Sequence, residues 1–273
     1  MKRVAFVTHI GRAAAVDAAD ALTRELVEAG VTVVAPGDPA DLVIAVGGDG
    51  TFLRGAHLAA QIDAPVLGVK VGRMGFLTQV EPPGAAALIL QALDGATPIE
   101  DRLAVIASVD GDDGFTPQWA MNEIMVEKAA RQRLVRLRLE VDGAYVTTFS
   151  ADGVVVATPT GSTAYSFSAR GPIVSPDVAC IVVTPIAPHM VFDRSFVLSS
   201  TQVVSLRVVG DEPGLVSADG RETQECPVGA TVTIRASERP ARFVRPSDGQ
   251  RFLDRVREKF GLPGDPDDVG GAG

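Results

Sequence analysis

The first hundred residues alternate between short apolar runs and longer segments in which apolar residues recur at helical spacing. Runs of strand length cover residues 4–7, 31–34, 42–46 and 66–69, and helical patterns cover 13–29, 52–61 and 83–93. Strands that alternate with helices form βαβ units, whose strands make a parallel sheet and whose ligands bind at the carboxyl ends of those strands. The pattern therefore predicts an α/β N-terminal domain over residues 1–99.

Beyond residue 100 the pattern changes to apolar strands separated by turn residues, which predicts an all-β, β-sandwich-like C-terminal domain over residues 100–246. Its strands are predicted at 103–109, 119–127, 134–141, 144–149, 154–158, 179–184, 202–209, 214–218, 230–236 and 241–245, with turns at 111–114 and 142–143 and a short helix at 162–169. A last amphipathic helix is predicted at 250–260. We expect the segment 247–260 to pack back on the α/β domain and residues 261–273 to form a disordered tail.

Composition and charge narrow the classes of partner. The formal net charge of −9 disfavours nucleic acid and anionic membranes as partners, because neither is attracted to an acidic surface. The two cysteines, Cys180 and Cys226, suggest neither a disulfide framework nor a zinc site, and this fits a reducing cytoplasm. Because apolar runs stay well short of a membrane span, and the N-terminal run breaks at Thr8, neither a transmembrane helix nor a signal peptide is expected.

The first candidate site is the glycine-rich loop at residues 47–51, which follows a fully apolar run and opens a helical pattern. Glycines let the backbone approach a ligand, and amides at a helix N-terminus attract phosphate oxygens. A carboxylate there, Asp49, needs a chemical reason, either metal coordination or removal of a proton from an attacking hydroxyl. The alternative is a plain turn between strand and helix. Arg54, one helical turn on, is either a phosphate ligand or a surface arginine.

The second candidate site is a strand that runs into a hydroxyl-rich loop around Gly161, over residues 152–168. The loop offers neutral hydrogen-bond donors and an aromatic face, and it lacks the Gly-Lys-Ser/Thr ending of a Walker loop. Ser162 or Thr163 is a candidate N-cap of the following helix, so a capped loop without a ligand is the alternative. Among the basic residues nearby, Arg131 and Arg133 are placed to reach a pyrophosphate.

Together these stretches resemble the NAD kinases over nearly the whole chain. The matching pieces are Gly-Gly-Asp-Gly-Thr at 47–51, Gly-Arg-Met-Gly-Phe-Leu at 72–77, Asn-Glu at 122–123, Asp-Gly at 152–153, Thr-Pro-Thr-Gly-Ser-Thr-Ala-Tyr at 158–165 and Gly-Pro-Ile at 171–173. Diacylglycerol-type lipid kinases share the first piece. Two positions depart from the family pattern: Lys70 stands where members commonly carry Asn, and Arg221 stands where relatives contribute a polar contact.

The resemblance implies an enzyme that phosphorylates the 2′-hydroxyl of the adenosine ribose of NAD to give NADP. It implies ATP or polyphosphate as donor, Mg²⁺ or another divalent metal with the nucleotide, and assembly as a homodimer or homotetramer. The two alternatives are a related kinase that acts on a lipid or sugar, and a dinucleotide-binding regulator without catalysis.

The resemblance also assigns roles to residues, with Asp49 as the proton acceptor and Gly50 beside the reacting ribose. Phe76 lines the nucleotide pocket, Asn122 and Glu123 bond ribose hydroxyls or the second nucleotide, and Asp152 contacts the nicotinamide end. The adenine-side wall consists of Thr163, Ala164, Tyr165 and Ser168. The other expected nucleotide-binding residues are Gly47, Gly48, Thr51, Arg54, Arg133, Thr160, Ser162, Ser166, Phe167 and Ala187, and no residue is expected to be a dedicated metal ligand.

Overall fold

The structure, a computed structural model, describes residues 2–72, 75–78, 80–110, 114–221, 223–246 and 251–263. Four predictions extend beyond these ranges: Arg73 and Met74 of the second matching piece, the turn at 111–113, residues 247–250 of the C-terminal segment, and the tail from 264 onwards. The chain forms two compact units, one made of Met1–Asp101 with Arg242–Gly273 and the other of Arg102–Ala241.

The elements, numbered along the chain, are β1 (Arg3–Thr8), α1 (Ala13–Glu28), β2 (Thr32–Val34), β3 (Leu42–Gly47), α2 (Asp49–Gln61), β4 (Val66–Lys70), α3 (Pro82–Leu93), β5 (Ile99–Arg102), β6 (Val105–Val109), β7 (Gln118–Ala120), β8 (Glu123–Lys128), β9 (Val135–Val141), β10 (Ala144–Ala151), β11 (Gly153–Ala157), a 3₁₀ helix (Thr160–Thr163), α4 (Tyr165–Ser168), β12 (Cys180–Ile186), β13 (Phe196–Ser199), β14 (Val204–Val209), β15 (Gly214–Ala218), β16 (Gln224–Cys226), β17 (Thr231–Ala236), β18 (Ala241–Val244) and α5 (Phe252–Phe260).

The first unit is built on a six-stranded sheet in the order β2-β1-β3-β4-β18-β5. Strands β1 to β4 pair in parallel, and β18 is parallel to β4. The central strand β3 is buried along its whole length, as its uninterrupted apolar sequence requires. Helix α1 buries Ala15, Ala19, Leu22 and Leu26, whose spacing places them on one face of the helix. This is the predicted α/β domain with a parallel sheet.

The second unit contains two antiparallel six-stranded sheets, in the orders β10-β9-β14-β17-β6-β7 and β13-β12-β11-β8-β15-β16. Alternate residues of strands from both sheets, such as Leu137 of β9 and Val156 of β11, belong to one buried apolar cluster. The two sheets therefore share a core, which confirms the predicted C-terminal region rich in antiparallel strands. In the described part of the chain, no helix combines the length and the apolar character that crossing a membrane demands.

Several boundaries differ from the predictions. The strand expected at 241–245 among the β-rich elements is β18, and it pairs with β4 in the first unit. The single strand expected at 119–127 is interrupted, giving β7 and β8. The strand expected at 103–109 is the shorter β6, and β5, β13 and β16 were not predicted. Helix α3 has non-helical backbone at Pro83 and Gly84. The helix expected at 162–169 is a 3₁₀ helix followed by one turn of α-helix.

Candidate active site

The glycine-rich loop joins β3 to α2 at the carboxyl end of the parallel sheet. Strand β3 ends at Gly47, and Gly48 is the N-cap of α2, whose carbonyl accepts the amides of Thr51 at 2.9 Å and Phe52 at 3.0 Å. The helix therefore begins at Asp49, three residues before the predicted start. Its first-turn amides point out of the helix at this edge of the sheet, where phosphate oxygens bind favourably.

The carboxylate of Asp49 is held by the backbone of a second loop of the same unit. Its Oδ2 accepts the Phe76 amide at 2.9 Å, and its Oδ1 accepts the Leu77 amide at 3.1 Å. A Cβ placed on Gly75 would lie within 3.0 Å of this carboxylate. Only a glycine therefore lets the loop come close enough for both amides to donate. Two such bonds fix the orientation of a carboxylate that has no restraint of its own beyond its rotamer.

The other predicted residues of this unit surround Asp49 along the chain. Thr51 is buried, and its Oγ1 accepts a hydrogen bond from Nη2 of the exposed Arg54 at 3.4 Å. Gly50 is exposed, with open space in the direction of a side chain. The ring of Phe76 lies beside α5, with its centroid 5.8 Å from that of Phe260. Contacts of these residues with a nucleotide stay predictions.

Lys70, the departure from the family pattern, ends β4 opposite Gly47 in the register of the sheet. Its ammonium group is 3.0 Å from a carboxylate oxygen of Glu81, and its side chain is largely buried. The charge of Lys70 is therefore balanced within the first unit.

In the second unit, the Asn-Glu pair lies where β7 gives way to β8. Asn122 is buried and Glu123 is half-buried. Within the described ranges, Asn122 Oδ1 and Glu123 Oε2 are buried atoms without a hydrogen-bond partner. Buried polar atoms normally find partners, so two that lack them on adjacent residues indicate a place where a ligand completes the bonding.

The pKa of Glu123 is raised from 4.5 to about 8. Burial is the main cause, the nearby Asp219 carboxylate also raises the pKa, and a hydrogen bond from the backbone amide of Tyr165 partly lowers it. Glu123 is therefore mostly protonated at neutral pH. The sequence suggested an ionised side chain that only accepts hydrogen bonds, whereas a protonated carboxyl both donates and accepts.

The hydroxyl-rich loop is fixed mainly by its own buried groups. The Thr158 hydroxyl donates to the Met121 carbonyl at 2.6 Å, and the buried Ser162 Oγ accepts the Val174 amide at 3.0 Å. The prediction that Ser162 or Thr163 caps the following helix is wrong, because neither helix in this segment has a side-chain cap. Thr163 Oγ1 instead donates to the Thr160 carbonyl at 3.4 Å. Thr160 and Ser162 thus shape the loop from inside.

Beyond the loop, α4 divides its residues between interior and surface. Ser166 is fully buried, and its hydroxyl is 3.2 Å from that of Thr184. Exposed residues of this stretch are Tyr165, Phe167 and Ser168, with Ala164 half-buried. The aromatic and hydroxyl groups expected to contact adenine are therefore largely on the surface. Ser166 faces the interior and anchors this segment through its contact with Thr184.

The remaining predicted residues are Asp152, Arg133 and Ala187. Asp152 forms an ion pair with Lys128, whose amide donates to the Asp152 carbonyl at 2.9 Å. Arg133 is exposed and lies 3.4 Å from a carboxylate oxygen of Glu212. Ala187 is exposed, with a positive φ of 43° that is uncommon outside glycine. Asp152 therefore lies beside a basic residue and Arg133 beside an acidic one. Their contacts with a dinucleotide stay predictions.

Comparison with known proteins identifies the family. The model of the ATP-NAD kinase N-terminal domain matches residues 36–96, and that of the C-terminal domain matches residues 121–246. NAD kinase 2 of Streptomyces coelicolor is 37% identical over 289 residues, covering 96% of this chain and 95% of the relative. NAD kinase of Rhodococcus erythropolis is 42% identical over 239 residues, covering 85% and 76%. The chain belongs to the NAD kinase family.

Solved structures of kinases agree with the fold of this NAD kinase family member. The crystal structure of an NAD kinase from Archaeoglobus fulgidus in complex with ATP aligns with a TM-score of 0.74 and 28% identity, covering 95% of this chain and 97% of that one. Yeast NADH kinase complexed with NADH aligns with a TM-score of 0.87 at 24% identity, covering 97% and 89%. Family membership confirms the resemblance, and neither alternative, the lipid or sugar kinase and the non-catalytic regulator, gains support from these relatives.

The metal ion expected with the nucleotide stays a prediction. Within the described ranges, no group of three or more His, Cys, Asp or Glu side chains is placed to bind a metal ion. Both oxygens of Asp49 already accept backbone amides. Magnesium in nucleotide-binding enzymes is typically held by substrate phosphates and water with one or two carboxylates, so a site of that kind does not need a larger group of protein ligands.

Two residues of this NAD kinase that shape the site had no predicted role. Gly75 was part of a matching piece, and only its closeness to Asp49 reveals why a side chain is excluded. Asp219 accepts the amides of Met121, Asn122 and Glu123. The dipeptide Asp219-Gly220 indicates a turn by itself, but its partners lie nearly a hundred residues earlier in the chain.

Proposed function

We propose that this NAD kinase transfers the γ-phosphoryl group of ATP to the 2′-hydroxyl of the adenosine ribose of NAD, giving NADP, with Asp49 as the proton acceptor. The observation that carries the proposal is the Asp49 carboxylate itself, placed at the first turn of α2 beside the glycine-rich loop and oriented by two backbone amides. An oriented carboxylate next to a phosphate-attracting helix end is what a kinase needs to position a hydroxyl nucleophile.

In this proposal the protein forms no covalent bond with either substrate. Phosphoryl transfer passes through a loose transition state, so the enzyme contributes mainly by positioning the reactants and stabilising charge on the transferred group. Amides of Gly48, Gly50 and their neighbours at the start of α2 bind phosphate oxygens of the donor. Asp49 orients the ribose hydroxyl and takes its proton as the bond to phosphorus forms. Gly50, which has no side chain and is exposed, leaves room for the ribose beside it.

The second unit supplies recognition of NAD in this proposal. Asn122 and the protonated Glu123 both donate and accept hydrogen bonds, so the pair suits ribose hydroxyls, which do the same. Their unpartnered buried oxygens support this assignment. The surface formed by Thr163, Ala164, Tyr165 and Ser168 binds the adenine side, Asp152 faces the nicotinamide end and the backbone of Ala187 contributes a further contact. Arg133 and Arg54 attract phosphate groups in a chain that is acidic overall.

The donor, the metal ion, the assembly and the location follow as further parts of the proposal. ATP is the preferred donor, with polyphosphate as the alternative, and Mg²⁺ enters as the counterion of the donor phosphates. The protein acts as a homodimer or homotetramer. Both cysteines are buried thiols, which supports a location in the reducing cytoplasm.

The decisive experiment measures NADP formation from NAD, Mg²⁺ and either ATP or polyphosphate, read through an NADP-specific dehydrogenase. The Asp49→Asn variant should bind NAD within about twofold of wild type but lose at least about a hundredfold in kcat, because it removes the proton acceptor and also turns an NH₂ group toward one of the two backbone amides that orient the carboxylate. Asp41→Asn is a matched control, since Asp41 also accepts a backbone amide, that of Arg3 at 2.7 Å, at the opposite end of β3. Retained turnover in Asp49→Asn would remove that residue from its role, and wild-type protein that binds NAD without forming NADP would overturn the activity.

A further inference from the structure

The segment 121–123, which carries the Asn-Glu pair, has its backbone donors bound by a single side chain. Asp219 Oδ1 accepts the amides of Asn122 at 2.8 Å and Glu123 at 3.1 Å, and Oδ2 accepts the amide of Met121 at 2.9 Å. Successive amides of a regular strand point to opposite sides, so three consecutive amides that converge on one carboxylate interrupt the strand. This arrangement is the physical reason that β7 ends at Ala120 and β8 begins at Glu123.

The turn that carries Asp219 is itself tied to the same stretch. The Asp219 amide donates to the Glu123 carbonyl at 3.0 Å. Arg221, two residues on, donates from Nη2 to the Trp119 carbonyl at 2.8 Å and from Nε to the Ala218 carbonyl at 3.2 Å. The β15–β16 turn is therefore hydrogen-bonded to the segment 119–123 at several points. Arg221 also places a positive charge next to the buried carboxylate of Asp219.

The opposite side of the segment is closed by the hydroxyl-rich loop. Thr158 donates from its hydroxyl to the Met121 carbonyl at 2.6 Å and from its amide to the Asn122 carbonyl at 2.8 Å. A Cβ on Gly161 would lie within 3.0 Å of the Asn122 backbone. Every backbone donor and acceptor of residues 121–123 therefore has a partner in the second unit, while the side-chain atoms Asn122 Oδ1 and Glu123 Oε2 are buried without one among the described residues.

We propose that Asp219 is a positioning residue for NAD, which fixes the Asn122–Glu123 backbone so that both side chains meet the dinucleotide in one orientation. The proposal rests on the proposed function, because it takes NAD as the ligand of this pair. Asp219 itself does not touch the ligand. Without Asp219, the three amides at the strand break would have no hydrogen-bond acceptor in the protein, so its carboxylate holds this backbone in one conformation. Its negative charge also favours the protonated form of Glu123.

The test compares NAD binding by calorimetry in wild type, Asp219→Asn and Asp142→Asn. Asparagine tolerates the φ of +50° at position 219, but its NH₂ group faces amides that need an acceptor. The Kd for NAD should rise at least about tenfold, with the KM for ATP within about threefold of wild type. Asp142 is a close match: it also has φ +50°, precedes a glycine and accepts a backbone amide, that of Val203 at 2.9 Å. Its variant should bind NAD as wild type does.

A second readout separates positioning from simple loss of stability. The pH dependence of NAD binding should contain the titration of Glu123, whose charged neighbours are Asp219 and, through Asp219, Arg221. Removing the Asp219 charge lowers the pKa of Glu123, so the inflection should move to lower pH in Asp219→Asn and stay in place in Asp142→Asn.

The outcomes distinguish the two proposals. A Kd for NAD in Asp219→Asn equal to that of wild type, or a loss matched by Asp142→Asn, would overturn the role of Asp219 while wild-type NADP formation upholds the function. Wild-type protein that binds NAD but forms no NADP overturns the activity, and the Kd comparison then still decides the role of Asp219.

Discussion

Gly75 is the residue at which backbone geometry controls the proposed base. The amides of Phe76 and Leu77 reach Asp49 only because position 75 lacks a Cβ, which would lie within 3.0 Å of the carboxylate. Gly75→Ala should therefore displace the carboxylate and lower kcat by about a hundredfold or more, since a misplacement of about 1 Å costs that much in a positioned reaction. NAD binding should change by less than about threefold.

The control for this prediction is Gly11→Ala in the same unit, where a Cβ meets only the His9 ring, at 3.3 Å. Steady-state kinetics and calorimetry on both variants give the comparison. A Gly75→Ala protein with normal kcat would mean that the Asp49 orientation does not depend on these amides.

Glu123 should make stability depend on pH. Its pKa is about 8 in the folded protein and about 4.5 unfolded, so between these values the folded state binds the extra proton and stability falls as pH rises. Glu123→Gln removes this slope. Relative to wild type, the variant should gain up to about 4 kcal/mol in the free energy of unfolding between pH 5 and pH 8, because each pKa unit is worth about 1.4 kcal/mol.

Urea unfolding at pH 5, 6.5 and 8 measures this difference. Glu225→Gln on β16, an exposed carboxyl of the same unit, serves as the control and should run parallel to wild type. Parallel curves for Glu123→Gln as well would show that Glu123 is ionised in the folded protein.

At the scale of residues, the sequence marks candidate groups more clearly than it marks the groups that surround them. Asp49 stands out because a carboxylate in a glycine-rich loop is unusual where phosphate binds. Its partners are 27 and 28 residues further along the chain, and nothing in their side chains marks them, because they act through backbone amides. The protonation of Glu123 was equally hidden, since it depends on burial and on Asp219 rather than on neighbours in sequence.

At the scale of elements, prediction succeeded where one segment decides its own structure. The strand-length apolar runs and the amphipathic α1 appear where hydrophobic periodicity placed them. It failed where a distant partner decides: the 119–127 run has the pattern of one strand, but Asp219 interrupts it. Nothing in the short sequence of β18 separates it from strands of the second unit, and only its pairing with β4 assigns it to the first.

The contact between the 3₁₀ helix and the β7–β8 break offers a test of how elements support each other. Gly161 packs directly on the Asn122 backbone, which two elements already fix, so a methyl group there cannot be relieved by rotation of a side chain. Gly161→Ala should lower the free energy of unfolding by about 1–3 kcal/mol, as overpacking typically does. It should also weaken NAD binding by at least about tenfold, because Asn122 shifts.

Thermal unfolding and calorimetry check both effects, with Gly214→Ala on β15 as the matched change, since its Cβ would meet neighbours at an ordinary 3.5 Å. If Gly161→Ala and Gly214→Ala lose stability and NAD affinity equally, the close contact at Gly161 has no specific role in presenting Asn122.

At the scale of the whole molecule, the two units use the chain differently. The second unit is one continuous segment, Arg102–Ala241, whereas the first requires Met1–Asp101 together with the chain from Arg242 onwards. In the sheet of the first unit, β18 lies between β4 and β5. Without it, β4 would have an unpaired edge next to buried apolar residues such as Leu67.

This asymmetry predicts that a fragment spanning 102–241 folds by itself and a fragment spanning 1–101 does not. The 102–241 fragment keeps both antiparallel sheets and their shared core, and should unfold cooperatively in urea. Trp119 is the single tryptophan of the chain, and its indole donates to the Arg239 carbonyl at 2.9 Å, so its fluorescence reports whether the two ends of the fragment have met. The 1–101 fragment should aggregate or lack a cooperative transition, and joining residues 242–263 to it through a flexible linker should restore one. A cooperative transition in 1–101 alone would show that α1 to α3 and β1 to β4 form a sufficient core without β18.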